Sequence, residues 1–186
     1  VNDSYHLQIA YDAAWHFTAK AHKDQKLPGS DLPYLVHIGW VVGEILIALR
    51  HEMVSDPVLA VQCAILHDVI EDTTIGYDTL CNEFGREVAD GVAALTKKAT
   101  LPKDQRMRDS LERIRAMPKE IGMVKLADRI ANLRPPPGFW DGRKIGEYAD
   151  EAQLILDKLG PVSPYFRQRL EIKLMEYRAK FLSQGS

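Results

Sequence analysis

The sequence predicts an all-α protein on three observations. Apolar residues recur at steps of three and four along most of the chain, Pro and Gly cut it into helix-length pieces, and no stretch keeps the two-residue alternation of a half-buried strand. With 186 residues the chain can fill one hydrophobic core and is short for two, so a single domain over 1–186 with one site is expected.

The first helix should span 5–22, where Leu7, Ala10, Ala14, Phe17 and Ala21 form a stripe that packs on the core. HKDQKLPGSDLP then reads as a loop: Pro28, Gly29 and Pro33 break a helix, and Lys23 and Lys26 face water or a ligand. Residues 34–49 are apolar enough for a largely buried helix. Asp56-Pro57 has the pattern of an N-cap and first helical position, opening a helix over VLAVQCAILHDVIED that should run through Asp72. Helices at 77–84, 86–97, 103–117 and 119–133 follow, punctuated by Gly85 and Pro118. Pro135-Pro136-Pro137-Gly138 must end the last of these, and helical spacing resumes over 143–159 through Ile145, Ala149, Ala152 and Leu156. Pro161 and Pro164 set off a final helix at 165–182.

Composition narrows the function classes. An apolar share of 46% and a charged share of 27% are ordinary globular usage and exclude disordered and collagen-like chains. The balance of 24 basic against 26 acidic residues supplies no net field for nucleic acid or a membrane surface. Cys63 and Cys81 lack the spacing of a disulfide framework or zinc ribbon, and Cys63 sits in an apolar run as a core filler. No apolar run reaches the roughly 20 residues of a membrane span, and the N-terminus lacks a signal-peptide pattern, so the cytoplasm is the expected compartment.

The chemistry starts from His67-Asp68, an adjacent pair inside an apolar helix. An ionised carboxylate buried there is costly unless it is paired or coordinates a metal. Neighbouring helical positions differ by about 100°, so both side chains can point toward one ion, with Glu71 and Asp72 following a turn later on that side. His37 in PYLVHIGWVV and Asp128 in GMVKLADRIANL are likewise polar groups among apolar neighbours, and each demands a partner. A nitrogen and oxygen set without thiolate suits manganese, iron or another octahedral divalent ion better than structural zinc. The plainer alternatives are a hydrogen-bonded core histidine at 37, ion pairs of Asp68 or Asp128 with Lys125 or Arg129, and solvated carboxylates at 71 and 72. Acidic groups at a helix C-terminus oppose the macrodipole, which weighs against that last alternative. His6, His16, His22 and His51 lie outside these motifs and are assigned surface or packing roles.

AHKDQK, PYLVH, AILHDVIEDT, VKLADRIANL and GRKIGEYADEA, in this order across 13–159, resemble the HD-domain superfamily of metal-dependent phosphohydrolases. Within it they are most similar to the hydrolase domain of the RelA/SpoT alarmone enzymes and their small stand-alone relatives. The resemblance implies one compact HD-domain bundle of about eight to ten helices, with its motif-bearing core at 13–159. It also implies hydrolysis of guanosine tetraphosphate or pentaphosphate, the alarmones of the stringent response, to GDP or GTP and pyrophosphate. His37, His67, Asp68 and Asp128 match the family's metal ligands, usually for manganese, and Glu71 and Asp72 its catalytic carboxylates. Lys26, Asn132, Tyr148, Lys125 and Arg143 match or lie near substrate-binding positions. The chain departs from the family at Ile38, where relatives carry proline, at Leu27, where a second basic residue is common, and in the Pro135-Pro136-Pro137 run, and these departures bear on substrate choice. The expected partner is therefore a small phosphorylated guanosine nucleotide, with no nucleic acid or membrane, and self-association is left open. Two other functions remain: hydrolysis of another phosphorylated nucleotide, such as a dinucleotide 2′-phosphate or a nucleoside monophosphate, and a nucleotide-binding module without catalysis. The presence of all four ligands and both carboxylates argues against the second.

Overall fold

The computed structural model describes residues 2–182, which form ten α-helices, one 3-10 turn and no β-strand. The helices are α1 (Asn2–Ala21), α2 (Leu35–Ala48), α3 (Pro57–Leu66), α4 (Val69–Asp72), α5 (Tyr77–Phe84), α6 (Arg86–Leu95), α7 (Lys103–Arg115), α8 (Lys119–Asn132), α9 (Gly142–Leu159) and α10 (Pro164–Phe181). The 3-10 turn, Gly160–Val162, joins the last two. No helix among the described residues is long and apolar enough to cross a membrane.

Two helices sit at the centre. α3 packs on α1, α2, α6 and α8, while α8 packs on α2, α3, α6, α7, α9 and α10. Their sequences explain the position: α3 is apolar at nearly every residue, and every residue of α8 from Glu120 to Ala131 is buried, so neither has a face to spare for solvent. Because α2, α3 and α8 all touch one another, polar residues on their facing sides meet in the interior.

Local chemistry sets the ends. Asp56 caps α3 by accepting the Leu59 N–H at 2.9 Å, with Pro57 in the first turn, as expected from the sequence. Ser163 caps α10 by accepting the Phe166 N–H at 3.1 Å, which seats the fully buried Phe166 ring. Arg169 on α10 reaches Glu44 on α2 with two nitrogens at 2.5 and 2.6 Å, a bidentate pair that ties the last helix to the centre.

One expected helix is divided. The segment that should run unbroken to Asp72 stops at Leu66, turns at His67 and Asp68, and restarts as α4. The ring of His67 bonds the Ala64 carbonyl through Nδ1 at 2.9 Å, and that carbonyl is the acceptor a continuing helix would offer to the Asp68 N–H. Asp68 accordingly sits at φ −102° and ψ −1°, away from helical values.

The expected loop after α1 folds back on itself, with the Leu27 N–H on the Leu32 carbonyl and the Tyr34 N–H on the Gln25 carbonyl, each at 2.9 Å. Its tip, Gly29, takes a positive φ of 74° and lies so close to Pro137 that an added Cβ would stand 3.2 Å from the Pro137 Cβ. The loop and the proline run thus meet across the molecule.

Replacing Ser163 by Ala removes the cap of α10 without touching α2, α3 or α8. The expected loss is about 1 kcal/mol, or roughly 2–4 °C in Tm for a chain of this size, at unchanged metal content. Thermal unfolding with metal analysis checks both.

Candidate active site

Four side chains converge where α2, α8 and the turn after α3 meet. The Nε2 atoms of His37 and His67 are 3.2 Å apart. Asp68 Oδ2 lies 2.9 Å from His67 Nε2 and 3.5 Å from His37 Nε2, and Asp128 Oδ1 lies 3.8 and 3.5 Å from the same two atoms. His37, His67 and Asp128 are buried. The structure therefore brings together all four residues expected as metal ligands.

The donor set fits a divalent cation. The Ala64 carbonyl can only accept, so His67 carries its proton on Nδ1 and aims the Nε2 lone pair at the centre, the tautomer that a metal ligand needs. Donor separations of about 3 Å are what an ion roughly 2.1 Å from each of its neighbouring ligands requires. The break in the helix serves the same end, because it frees the Asp68 carboxylate to reach across His67.

Electrostatics make the same demand. Burial lowers the His37 imidazole, but Asp128 and Asp68 more than reverse this and push it up to about 9. His67 is raised in the same way, against its burial, chiefly by Asp68. Burial would raise Asp68, yet the charge of His67 and the bonds to both imidazoles hold it well below the usual carboxylate range. Asp128 is held down likewise, against burial, by Lys125 and His37. The carboxylates thus draw positive charge into the centre, either as protons on imidazole or as a metal ion.

A surrounding set of bonds orients the ligands. Lys125 Nζ donates to Asp128 Oδ2 at 3.0 Å and Asn132 Nδ2 to Asp128 Oδ1 at 2.6 Å. Both were expected to face substrate, and here both hold a ligand carboxylate from the same helix. Tyr34, at the entrance to α2, donates its hydroxyl to Asp68 Oδ2 at 2.5 Å. Burial, then the Asp68 charge, pushes the Tyr34 phenol far up, so it stays a donor.

Glu71 and Asp72 stand on α4, directly beyond the ligand turn. Glu71 is gripped by Lys97, whose Nζ bonds Oε1 at 2.8 Å and whose backbone N–H bonds Oε2 at 2.9 Å. Each oxygen keeps a free lone pair for water. Asp72 accepts from Gln25 Nε2 at 2.9 Å, and burial followed by the Asp68 charge raises its pKa.

The remaining expected substrate residues divide. Tyr148 lines a cavity of about 590 Å³ with Trp40, Asn132, Arg134, Pro136 and Trp140. Its ring lies 4.2 Å from the Arg129 guanidinium and packs edge-on against Trp140 at 5.0 Å. The Arg134 guanidinium lies 3.6 Å over the Trp40 ring on the same cavity wall. Lys26 and Arg143 are not brought to this site: Lys26 is exposed and paired with Asp31 at 2.8 Å, and Arg143 is exposed and paired with Glu147 at 3.3 Å. Tyr34, Gln25, Lys97, Trp40 and Arg134 were not singled out from the sequence. Tyr34 and Trp40 flank His37 at three residues on either side, a spacing that places them on its face and could have flagged both. Lys97 and Arg134 carry no such local signal.

The imidazole shift fixes the behaviour of the metal-free protein. A histidine raised from 6.5 to about 9 adds stability that is complete below pH 6.5 and lost as pH rises through 9. The lowered carboxylates of Asp68 and Asp128 add stability that is lost only on acidification below the ordinary carboxylate range, near pH 4. In chelator the Tm should therefore fall between pH 6.5 and 9, and saturating manganese should abolish that fall by replacing the proton. A Tm in chelator that is flat or rising over this range contradicts the charge assignment.

Comparison with known proteins gives the same picture. The chain is 31% identical over 171 residues, 89% of its length and 92% of the relative's, to the guanosine-3′,5′-bis(diphosphate) 3′-pyrophosphohydrolase MESH1 of Danio rerio. It is 33% identical over 149 residues to the Homo sapiens protein of that name, covering 77% of this chain and 80% of that one. The solved structure of a metazoan orthologue of SpoT that hydrolyses ppGpp superposes with a TM-score of 0.75 at 25% identity, over 92% of this chain and 94% of that one. The HD domain family matches residues 14–159, and the chain belongs to it.

Proposed function

We propose that the chain is a manganese-dependent hydrolase that removes the 3′-diphosphate of guanosine 3′,5′-bis(diphosphate), releasing pyrophosphate. The observation that carries this is the approach of Asp68 to the buried cluster of His37, His67 and Asp128, beside Glu71 and Asp72, in a family member whose relatives bear that activity in their names. The four residues would hold the cation. When bound, it would acidify water and offset charge on the attacked phosphorus.

The chain's own groups do the rest. Glu71, fixed by Lys97, orients the attacking water and takes its proton. Asp72, whose pKa is raised, protonates the departing oxygen. Asn132 and Tyr148 border the nucleoside, and the Trp40, Arg134 and Trp140 side chains offer flat surfaces for a purine ring. A second reading keeps the centre and changes the nucleotide. It is favoured by Lys26, whose charge is paired with Asp31 at the surface where a substrate-facing basic group was expected.

Incubation of the manganese-loaded protein with guanosine tetraphosphate should release GDP and pyrophosphate, resolved by anion exchange, and chelation should abolish the release. Intact tetraphosphate alongside hydrolysis of a dinucleotide 2′-phosphate or nucleoside monophosphate selects the second reading. Asp68→Ala should lose metal and turnover together. Glu71→Ala should keep the metal and lose about a hundredfold or more in kcat. Retained full activity in either variant removes that residue from the mechanism.

A further inference from the structure

A second polar chain, buried at its His22 end and exposed at Asp72, reaches the same centre. His22, one residue past α1, is 2% exposed, and its Nδ1 lies 2.6 Å from Gln25 Oε1. Gln25 Nε2 in turn donates to Asp72 Oδ2 at 2.9 Å. The polarity of this chain is fixed from one end. A carboxylate only accepts, so the amide must show its NH2 to Asp72, its oxygen then faces the ring, and the ring must donate from Nδ1.

The surroundings hold the chain still. The His22 ring packs at 5.2 Å against Tyr34, the residue that bonds Asp68. The backbone of the turn is closed by the His22 N–H on Thr18, the Gln25 N–H on His22 and the Tyr34 N–H on Gln25, at 3.0, 3.0 and 2.9 Å. His22 Nε2 is buried without a partner. An unmet buried polar atom is destabilising, a cost that an apolar ring filling the same space would avoid. A purely packing role for His22 leaves that cost unexplained, and a need for its Nδ1–H explains it.

We infer that His22 and Gln25 are positioning residues that hold the Asp72 carboxyl in one orientation at the reaction centre. Neither touches the reacting atoms: Gln25 acts through Asp72, and His22 acts through Gln25. The inference rests on reading Asp72 as the acid–base group. It goes beyond that reading in assigning the carboxyl's alignment to the loop after α1 and in naming the required histidine tautomer.

The test uses the full manganese-loaded chain and guanosine tetraphosphate, or the nucleotide that replaces it under the second reading. Gln25→Ala and His22→Ala should each lower kcat about tenfold or more with KM and metal content nearly unchanged. His22→Asn, whose amide nitrogen can stand near the Nδ1 position, should recover most of the loss. Asp72→Asn should be inactive enough that adding Gln25→Ala to it changes nothing further, since coupled residues are not additive. If Asp72→Asn is fully active, the acid–base reading fails and the positioning role falls with it. If Asp72→Asn is inactive but Gln25→Ala retains wild-type kcat, or their losses multiply, the positioning role alone is overturned. Should His22→Ala fail to fold, the Gln25 variants decide. Nitrogen NMR of the His22 ring tests the tautomer without turnover: protonation at Nδ1 is expected, and a ring protonated at Nε2 alone overturns the chain.

Discussion

Two carboxylates facing two imidazoles in a nearly dry interior set the terms for the rest of this molecule. Asp68 and Asp128 lie within 4 Å of His37 and His67 Nε2 at the meeting of α2, α3 and α8, helices whose buried residues are mostly apolar. Charge there cannot be left to solvent, so each group is met by another. Lys125 and Asn132 take the oxygens of Asp128, Tyr34 takes Asp68, and the Ala64 carbonyl takes the far side of His67. At the interruption of the third helix, the Ala64 carbonyl that a continuing helix would offer to the Asp68 N–H meets the His67 imidazole.

Much of this was legible in the sequence because it rests on local patterns. Apart from the divided α3–α4 segment, helical spacing and Pro or Gly punctuation located the helices to within three residues at their ends, and the 77–84 helix matches α5 at both. The convergence of His37, His67, Asp68 and Asp128 was legible because a histidine or aspartate amid apolar residues is conspicuous in any register. The turn at His67 and Asp68 was not, because it depends on a side chain competing with the backbone for one acceptor. Lys26 shows the opposite failure. Its place in the motif pointed to substrate, but the folded loop sets Asp31 within reach of its ammonium. Lys125 and Asn132 were expected to meet substrate, and their bonds are with Asp128, three and four positions away on their own helix.

Residues distant in sequence were the least legible. Lys97 meets Glu71 from the end of α6, Gln25 meets Asp72 from the loop after α1, and Arg134 stacks on Trp40 from beyond α8. Lys97 and Arg134 have no periodic or motif signal, and Gln25 lies within AHKDQK without its contact being readable there, because each contact is created by the packing of whole elements. His22 was assigned a surface or packing role; it is buried against Tyr34, and its Nδ1 also lies 2.6 Å from Gln25 Oε1, a contact no local pattern announced.

One part of the cavity wall is built from Pro28, Pro135, Pro136 and Pro137, with Gly29 wedged against the last of them. Proline has almost no side-chain freedom to surrender, so a ligand entering here freezes little that was moving. That part of its outline is consequently drawn by main chain more than by rotamers. Point substitutions inside the cavity can change which atoms greet a nucleotide while leaving that part of the wall as it is. Divergence toward a bulkier or slimmer ligand would then be recorded as changes in the length and proline content of these two loops, the places where relatives of different specificity should differ most.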